Sequence, residues 1–529
     1  MPRVGRRTAL VAGLALGAAP GLTAAGIASR RRHKPVYVAR GRIAQPHAAR
    51  AGDVTTDSAV VWARGTAEGR LMVRLESNGR RVAYLRGGWA HPGNDFTGRV
   101  VLRGLEPGRA YVATTWFAGP DGTTGEPRTT AFTTASAGHR RQSFAWSADT
   151  CGQGWGINDA IGGLTGYRAV LDLRPDFFLH VGDNIYADEP MLEHTHDGHG
   201  NEWTNRLDES VVKVAETLAD FRGRHRYVLD DVNVQALYAD VPTVAMWDDH
   251  ETLNNWYPGE VLDDPRYRIE RRCDVLAARG RRAWQEYMPL APAHLDRAGR
   301  TGRIYRRIPR GPHLDVFCLD MRSYRDANGY DESMDPERGI LGREQADWLL
   351  RGLTRSRATW KVVAADMPLS LATSHAEDRD SVAQTDPGLP LGREIEIAGL
   401  LSGLKRNGVR NVVWVTADVH YTAAQHYSPE RAAYTDFDPF WEFVSGPIAA
   451  GTFKPKEPDA TFGPEVVFAH GNTDDGLTSM SPAVGNQYVG QVEVEDDARL
   501  TVTLHSVGQG RLWSRTLEPV PYTPPARRA

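Results

Sequence analysis

The sequence predicts an α/β protein built as an αββα sandwich, two sheets flanked by helices, preceded by a small β-sandwich. Three observations carry that expectation. The stretch from about Tyr37 to Ala135 consists of short alternating segments separated by Gly, Pro and Asp turns. From Phe144 onward, short apolar runs alternate with stretches of helical periodicity. Near the end, Tyr488–Val494 and Leu500–Ser506 alternate like an antiparallel hairpin. The second part therefore mixes strand directions, which suits two packed sheets better than one doubly wound sheet.

The chain has 529 residues, room for two or three domains. Its formal net charge of −3 offers no electrostatic case for a nucleic-acid-binding surface. Three cysteines, Cys151, Cys273 and Cys318, are too few and too scattered for a disulfide framework or a zinc-finger spacing. Residues 1–28 read as a targeting segment: Arg3, Arg6 and Arg7, then the apolar stretch Ala9 to Ala19, then the small residues Thr23-Ala24-Ala25. The pair Arg6-Arg7 before Thr8-Ala9-Leu10 resembles a bacterial twin-arginine signal. That implies the twin-arginine export machinery as a partner and a secreted, extracellular or cell-wall-associated destination. No other stretch is long and apolar enough for a transmembrane segment.

Within 37–135, strands are expected at Ser58–Arg64, Leu71–Leu75, Gly98–Leu102 and Ala110–Thr114. The turn Gly104-Leu105-Glu106-Pro107-Gly108, with Tyr111 opening the next strand, resembles the fibronectin type III sandwich. A polar linker, Ala135 to Arg141, follows. Beyond it, strands are expected at Phe144–Asp149, Asp176–Val181, Val241–Trp247, Leu314–Leu319, Trp360–Ala365 and Val409–Thr416. Helices are expected at Gly162–Leu173, Val211–Phe221, Leu276–Tyr287 and Gln345–Leu353.

Four of these strands end in groups able to bind a metal. The first ends in Asp149, with Cys151 two residues on. The second runs through Leu179-His180-Val181 into Gly182-Asp183-Asn184-Ile185-Tyr186, a carboxylate and a phenol that can converge on a hard trivalent ion. The third gives Asp248-Asp249-His250-Glu251, followed by Asn254-Asn255, and the last gives Asp418-Val419-His420. Each has a plainer reading, since a strand-end Asp is often an N-cap and Gly-Asp is ordinary turn chemistry. Four such ends in one domain, each behind apolar strand residues, point to a metal site, because ligands collect beyond the carboxyl ends of strands.

The order Asp…Gly-Asp-x-x-Tyr…Asp-His-Glu…Asp-x-His resembles the metallophosphoesterase superfamily in its purple acid phosphatase variant. More closely, it is similar to the alkaline phosphatase D (PhoD) family. Trp247-Asp248-Asp249-His250-Glu251, Leu319-Asp320-Met321-Arg322-Ser323-Tyr324 and Leu341-Gly342-Arg343-Glu344-Gln345-Ala346-Asp347-Trp348-Leu349 are further phrases of that family. The resemblance implies a metallophosphoesterase catalytic domain over 142–515 behind the sandwich. It implies an alkaline phosphatase or phosphodiesterase that hydrolyses phosphomonoesters and phosphodiesters with Fe(III) and Ca(II), through hydroxide on the metal. By position, iron falls to Asp183, Tyr186, Asp418 and His420 plus a first-strand ligand. The best-known pattern has a cysteine there; an ungapped reading puts Asp149 at that place, which is preferred, with Cys151 second. Asp183 would bridge to calcium, helped by Asp249.

His250 is then placed to protonate the leaving oxygen, or alternatively to orient a ligand. Asn184 can hydrogen-bond a phosphate oxygen or serve its turn, and Arg322 can clamp phosphate or pair with Asp320. Asp366 is a further carboxylate behind a strand. The His-rich tract Glu193–His199 reads as a loop flanking the mouth, and His375 as solvent-facing. A second enzymatic reading, a phospholipase D-like diesterase acting on phospholipids, shares all these residues. A surface-binding protein with a relic site would have lost some of them.

Overall fold

Short apolar strands must be buried on both faces, and this chain achieves that by stacking two sheets with helices outside. The computed structural model describes residues 42–521 apart from 198, 296–301, 330–338, 373–378, 386–387, 474–478 and 485. The leader expected over 1–28 and His375 lie outside these residues.

The first sheet has nine strands, in spatial order Gly510–Leu517, Leu500–Ser506, Tyr488–Val494, Gln142–Ser147, Phe177–His180, Thr243–Ala245, Arg50–Gly52, Ser58–Arg64 and Thr97–Arg103. The second has seven: Arg306–Pro309, Leu314–Cys318, Trp360–Ala364, Val412–Thr416, Phe440–Val444, Thr422–Tyr427 and Pro464–His470. Phe144, Trp146, Leu179 and Val244 of one sheet pack on Val316, Val362, Val413 and Val415 of the other. Outside the first sheet, Thr165–Leu173, Leu218–Leu229, Val232–Asp240 and Cys273–Tyr287 contribute to an apolar layer; outside the second, Arg343–Arg355 and Glu394–Arg406 do so. This is the expected αββα arrangement.

A four-stranded sheet, Arg80–Ala90, Gly69–Ser77, Ala110–Ala118 and Arg128–Thr133, completes the amino-terminal sandwich. Leu71, Val73, Leu75 and Phe117 pack there against Val61, Val100 and Leu102. Tyr111 Oη accepts the Glu106 N–H at 2.9 Å, closing the Leu-Glu-Pro-Gly turn. The sandwich's other face is the end of the nine-stranded sheet itself, because Arg50–Gly52 pairs in parallel with Thr243–Ala245.

One expected helix moves. Val211 to Phe221 is helical only from Leu218, where Thr217 and Asp220 form a capping box that starts Leu218–Leu229. Val211, Val214 and Ala215 are buried all the same; their spacing reflected a packed irregular segment. The strands Thr422–Tyr427, Phe440–Val444 and Pro464–His470 and the helix Glu394–Arg406 were not anticipated.

Asp53 and Arg306 lock the amino-terminal strand to the edge of the second sheet. Both are buried, and the guanidinium donates through Nε and Nη2 at 2.9 and 2.8 Å. Asp53→Ala leaves that charge buried and unpaired, so it should cost about 3–5 kcal/mol of unfolding free energy. Chemical denaturation measures it, and a change below about 1 kcal/mol would show the pair to be incidental.

Candidate metal centre

Parallel pairing brings the strand ends level. Ser147, His180 and Ala245 are in register in the first sheet, and Cys318, Ala364 and Val415 in the second. Asp149, Asp183 and Asp248-Asp249 leave the first sheet just beyond that line, while Asp320, Asp366 and Asp418 leave the second. The backbone turns sharply to aim them: Asp149, Asp183, Asp418 and His420 have φ of 65°, 49°, 66° and 57°. Gly182, at φ 139°, lies so close to Asp248 that a side chain could not fit.

Glu251 holds this turn together. Its buried carboxylate accepts the Asn184 N–H at 2.6 Å, the Asn184 amide at 2.8 Å, the Asp248 N–H at 2.7 Å and the Asp183 N–H at 3.2 Å. Two strand ends are thereby clamped to one side chain.

Three donors of different chemistry meet on one side of the centre. His420 gives its Nδ1–H to the Gly451 carbonyl at 2.6 Å, which leaves Nε2 facing Tyr186 Oη at 2.9 Å and Asp149 Oδ1 at 3.6 Å. Burial lowers the His420 pKa to about 4, so the ring is a neutral imidazole. Gly446 allows Asp149 its position, since a Cβ there would lie 2.4 Å from the carboxylate. Beyond them the donors are mainly carboxylate oxygens, with the His250 imidazole among them. Ligand-capable atoms of Asp183, Asp249 and His250 lie within 4.8 Å of one another, as do those of Asp248, Asp249 and Asp418.

The electrostatics fit cations. Burial first, then the neighbouring carboxylates, push Asp149, Asp183, Asp366 and Asp418 well above the ordinary carboxylate range. Burial and the charge of Asp183 likewise disfavour the Tyr186 phenolate. Both oxygens of Asp149 and of Asp366 are buried without a hydrogen-bond partner among the described residues. A multivalent cation held nearby would reverse this balance.

The centre opens into a cavity of about 480 Å³ lined by Asp183, Tyr186, Asp249, His250, Asp418 and His420, with Gln153, Glu189, Asn254, Asn255, Phe453 and Lys456 around them. A model of the PhoD-like phosphatase family matches residues 144–503, and one of the PhoD-like phosphatase N-terminal domain matches residues 33–131. The chain belongs to the PhoD-like phosphatase family. It is a hydrolase acting on phosphoester bonds. Alkaline phosphatase D of Bacillus subtilis (strain 168) is 28% identical over 426 residues, covering 76% of this chain and 68% of that protein. A solved structure of PhoD matches with a TM-score of 0.67 at 19% identity, over 91% of this chain and 94% of that one. A purple acid phosphatase from yellow lupin (Lupinus luteus) seeds matches with a TM-score of 0.54 at 13% identity, over 89% and 74%. These two likenesses concern the fold.

Within this PhoD-like phosphatase, several expected site residues do other work. Cys151 is buried in the apolar layer beside Ile157 and Tyr167, and burial pushes its thiol up, so it stays protonated there. Arg322 is fully buried and does not line the cavity. Its guanidinium pairs with Asp248, with Asp380 at 2.9 Å and, at longer range, with Asp366, Asp418 and Asp249. Burial alone would weaken its charge; those carboxylates keep it protonated. That arrangement makes it a counter-charge beneath the acids and removes it from the role of phosphate clamp. Asp320 does not pair with its guanidinium but accepts the Arg322 N–H at 3.2 Å and Trp247 Nε1–H at 2.9 Å. Asn184 turns its amide to Glu251 and to the Met246 carbonyl at 2.7 Å, which makes it part of the turn and takes its donor away from a phosphate.

His250 lines the cavity with Nδ1 bonded to Asp188 at 2.7 Å and its ring stacked on Tyr186, centroids 3.9 Å apart. The histidine tract forms part of a hairpin, His194–His196 with Glu202–Thr204, in which His194 meets Glu202 at 2.9 Å. Glu251, Asp188 and Asp380 were not singled out. The Asp-His-Glu phrase contained Glu251, but only the fold reveals what a carboxylate without an exposed edge is bonded to.

These placements separate the two first-strand candidates. Asp149→Ala should abolish tight metal retention. Cys151→Ser should retain the metal while losing about 1–3 kcal/mol of stability from a buried hydroxyl. Metal analysis and denaturation of both variants check this; metal loss in Cys151→Ser alone would reverse the assignment.

Proposed function

We propose that this chain is an exported phosphohydrolase that cleaves phosphomonoesters and phosphodiesters at an Fe(III) and Ca(II) centre. Asp149, Asp183, Tyr186, Asp418 and His420 would hold iron, and Asp183 with Asp249 would hold calcium. The observation that carries the reading is the meeting of Tyr186 Oη, His420 Nε2 and Asp149 Oδ1, a phenol, a neutral imidazole and an unpartnered carboxylate suited to a hard trivalent ion. The carboxylate oxygens of Asp183 and Asp249 suit calcium. When bound, the ions supply Lewis acidity for a water nucleophile and neutralise the phosphate oxygens.

The chain's own groups do the rest. The Gly451 carbonyl fixes the tautomer and direction of His420. Glu251 accepts N–H groups from both Asp183 and Asp248, and the Arg322 guanidinium among Asp248, Asp249 and Asp418 offsets part of their mutual repulsion. Asp188 holds Nδ1 of His250, and Tyr186 supports the ring face, so Nε2 is the nitrogen available to the cavity. A proton on that atom can pass to the leaving oxygen. The division into a leader over 1–28, a sandwich over 37–135 and a catalytic domain over 142–515 belongs to the same reading. The Arg6-Arg7 leader supports the twin-arginine route, which carries folded protein with its metal in place. Among the described residues no helix is long and apolar enough to cross a membrane.

Leaving-group dependence tests the assignment of His250. An alkoxide must be protonated as its bond breaks, whereas nitrophenolate leaves without help. His250→Ala should lose on the order of 10²–10⁴-fold with alkyl phosphates and distinctly less with nitrophenyl phosphate, at unchanged metal content. Equal losses with both esters, or loss of metal, would make His250 a supporting or ligating group. Wild-type protein loaded with both ions but inactive on every ester would overturn the proposed function.

A further inference from the structure

One wall of the cavity differs in charge from the rest. Asp183, Glu189, Asp249 and Asp418 line it with carboxylates, and Lys456 stands among them as the lysine of the described lining. It lies on a strap, residues 451–459, tied to the same strand end that presents His420. Gly451 accepts His420 Nδ1–H, and the Phe453 N–H donates to the His420 carbonyl at 3.0 Å. The Phe453 ring stacks on the imidazole with centroids 4.8 Å apart. Lys456 donates its own N–H to Tyr421 Oη at 3.4 Å, and the Asp459 N–H reaches the Ser370 carbonyl at 2.7 Å. Pro455 and Pro458 restrict the backbone on either side. The lysine is thus positioned through the same bonds that position a candidate ligand, and its ammonium donates to the Ala372 carbonyl at 2.9 Å.

The two ester classes differ in what such a charge can do for them. A phosphomonoester presents three non-bridging oxygens and two negative charges near neutral pH. A diester presents two such oxygens and one charge. Cations at the carboxylate edge engage oxygens on that side, and a compact ammonium on the wall can meet the oxygen that only the monoester has. We infer that Lys456 binds the additional anionic oxygen of a phosphomonoester and so biases this site towards monoesters over diesters. The inference rests on the proposed function and names the substrate class within it.

The test uses the metal-loaded full chain with Lys456→Met and Lys456→Arg. For nitrophenyl phosphate, Lys456→Met should lower kcat/KM about tenfold, mainly through KM, while bis-nitrophenyl phosphate changes by less than about twofold. Lys456→Arg should restore most of the loss. Calorimetric binding of inorganic phosphate, which requires no turnover, should weaken by a similar factor in Lys456→Met at unchanged metal content. Equal losses on both esters, failure of arginine to rescue, or unchanged phosphate affinity overturn the inference. An inactive wild type whose phosphate binding still depends on Lys456 overturns the hydrolytic reading and not the recognition of phosphate by this residue.

Discussion

Mutual repulsion among buried carboxylates is the constraint on which the rest of this structure depends. Two like charges about 4 Å apart repel by about 4 kcal/mol at an effective dielectric of 20. Asp149, Asp183, Asp248, Asp249 and Asp366 are buried and Asp418 nearly so where the strand ends of the two sheets meet. The chain counters this with backbone amides turned towards Glu251 and with the guanidinium of Arg322 driven into the midst of the acids. Those devices leave Asp149 and Asp366 unsatisfied. Cations bound among these acids would supply the remaining compensation.

The same constraint explains the backbone. A strand that ran on past Ser147, His180 or Val415 would carry its carboxylate away from the centre. Left-handed residues at Asp149, Asp183, Asp418 and His420 bend each strand end back instead. Such conformations cost of order 1–3 kcal/mol each in bulky residues, less in Asp, and persist where surrounding bonds over-determine them. Here Glu251, the Gly451 carbonyl and the Gly182 and Gly446 clearances supply that determination.

Much of this was legible in the amino-acid order. Apolar runs that stop in Asp marked the strand ends, and the αββα layers followed from the alternation of helical and strand patterns. What was not legible depends on through-space partners. The turn chemistry of Thr217 and Asp220 decided where a helix begins, against the apolar spacing of Val211, Val214 and Ala215. The choice between Asp149 and Cys151 turns on which side of one sharply bent loop each faces. The role of Arg322 depends on Asp380, a residue 58 positions away with no motif around it. The seven-stranded sheet needs Thr422–Tyr427 and Phe440–Val444, whose mixed composition hides their burial.

The central claim, a phenolate-bound ferric centre at these strand ends, is tested most directly by the visible spectrum of the iron-loaded protein. The account predicts a broad phenolate-to-iron charge-transfer band that disappears in Tyr186→Phe while the fold is retained. A wild type that is fully active, colourless and free of iron, or a band that survives Tyr186→Phe, would contradict it.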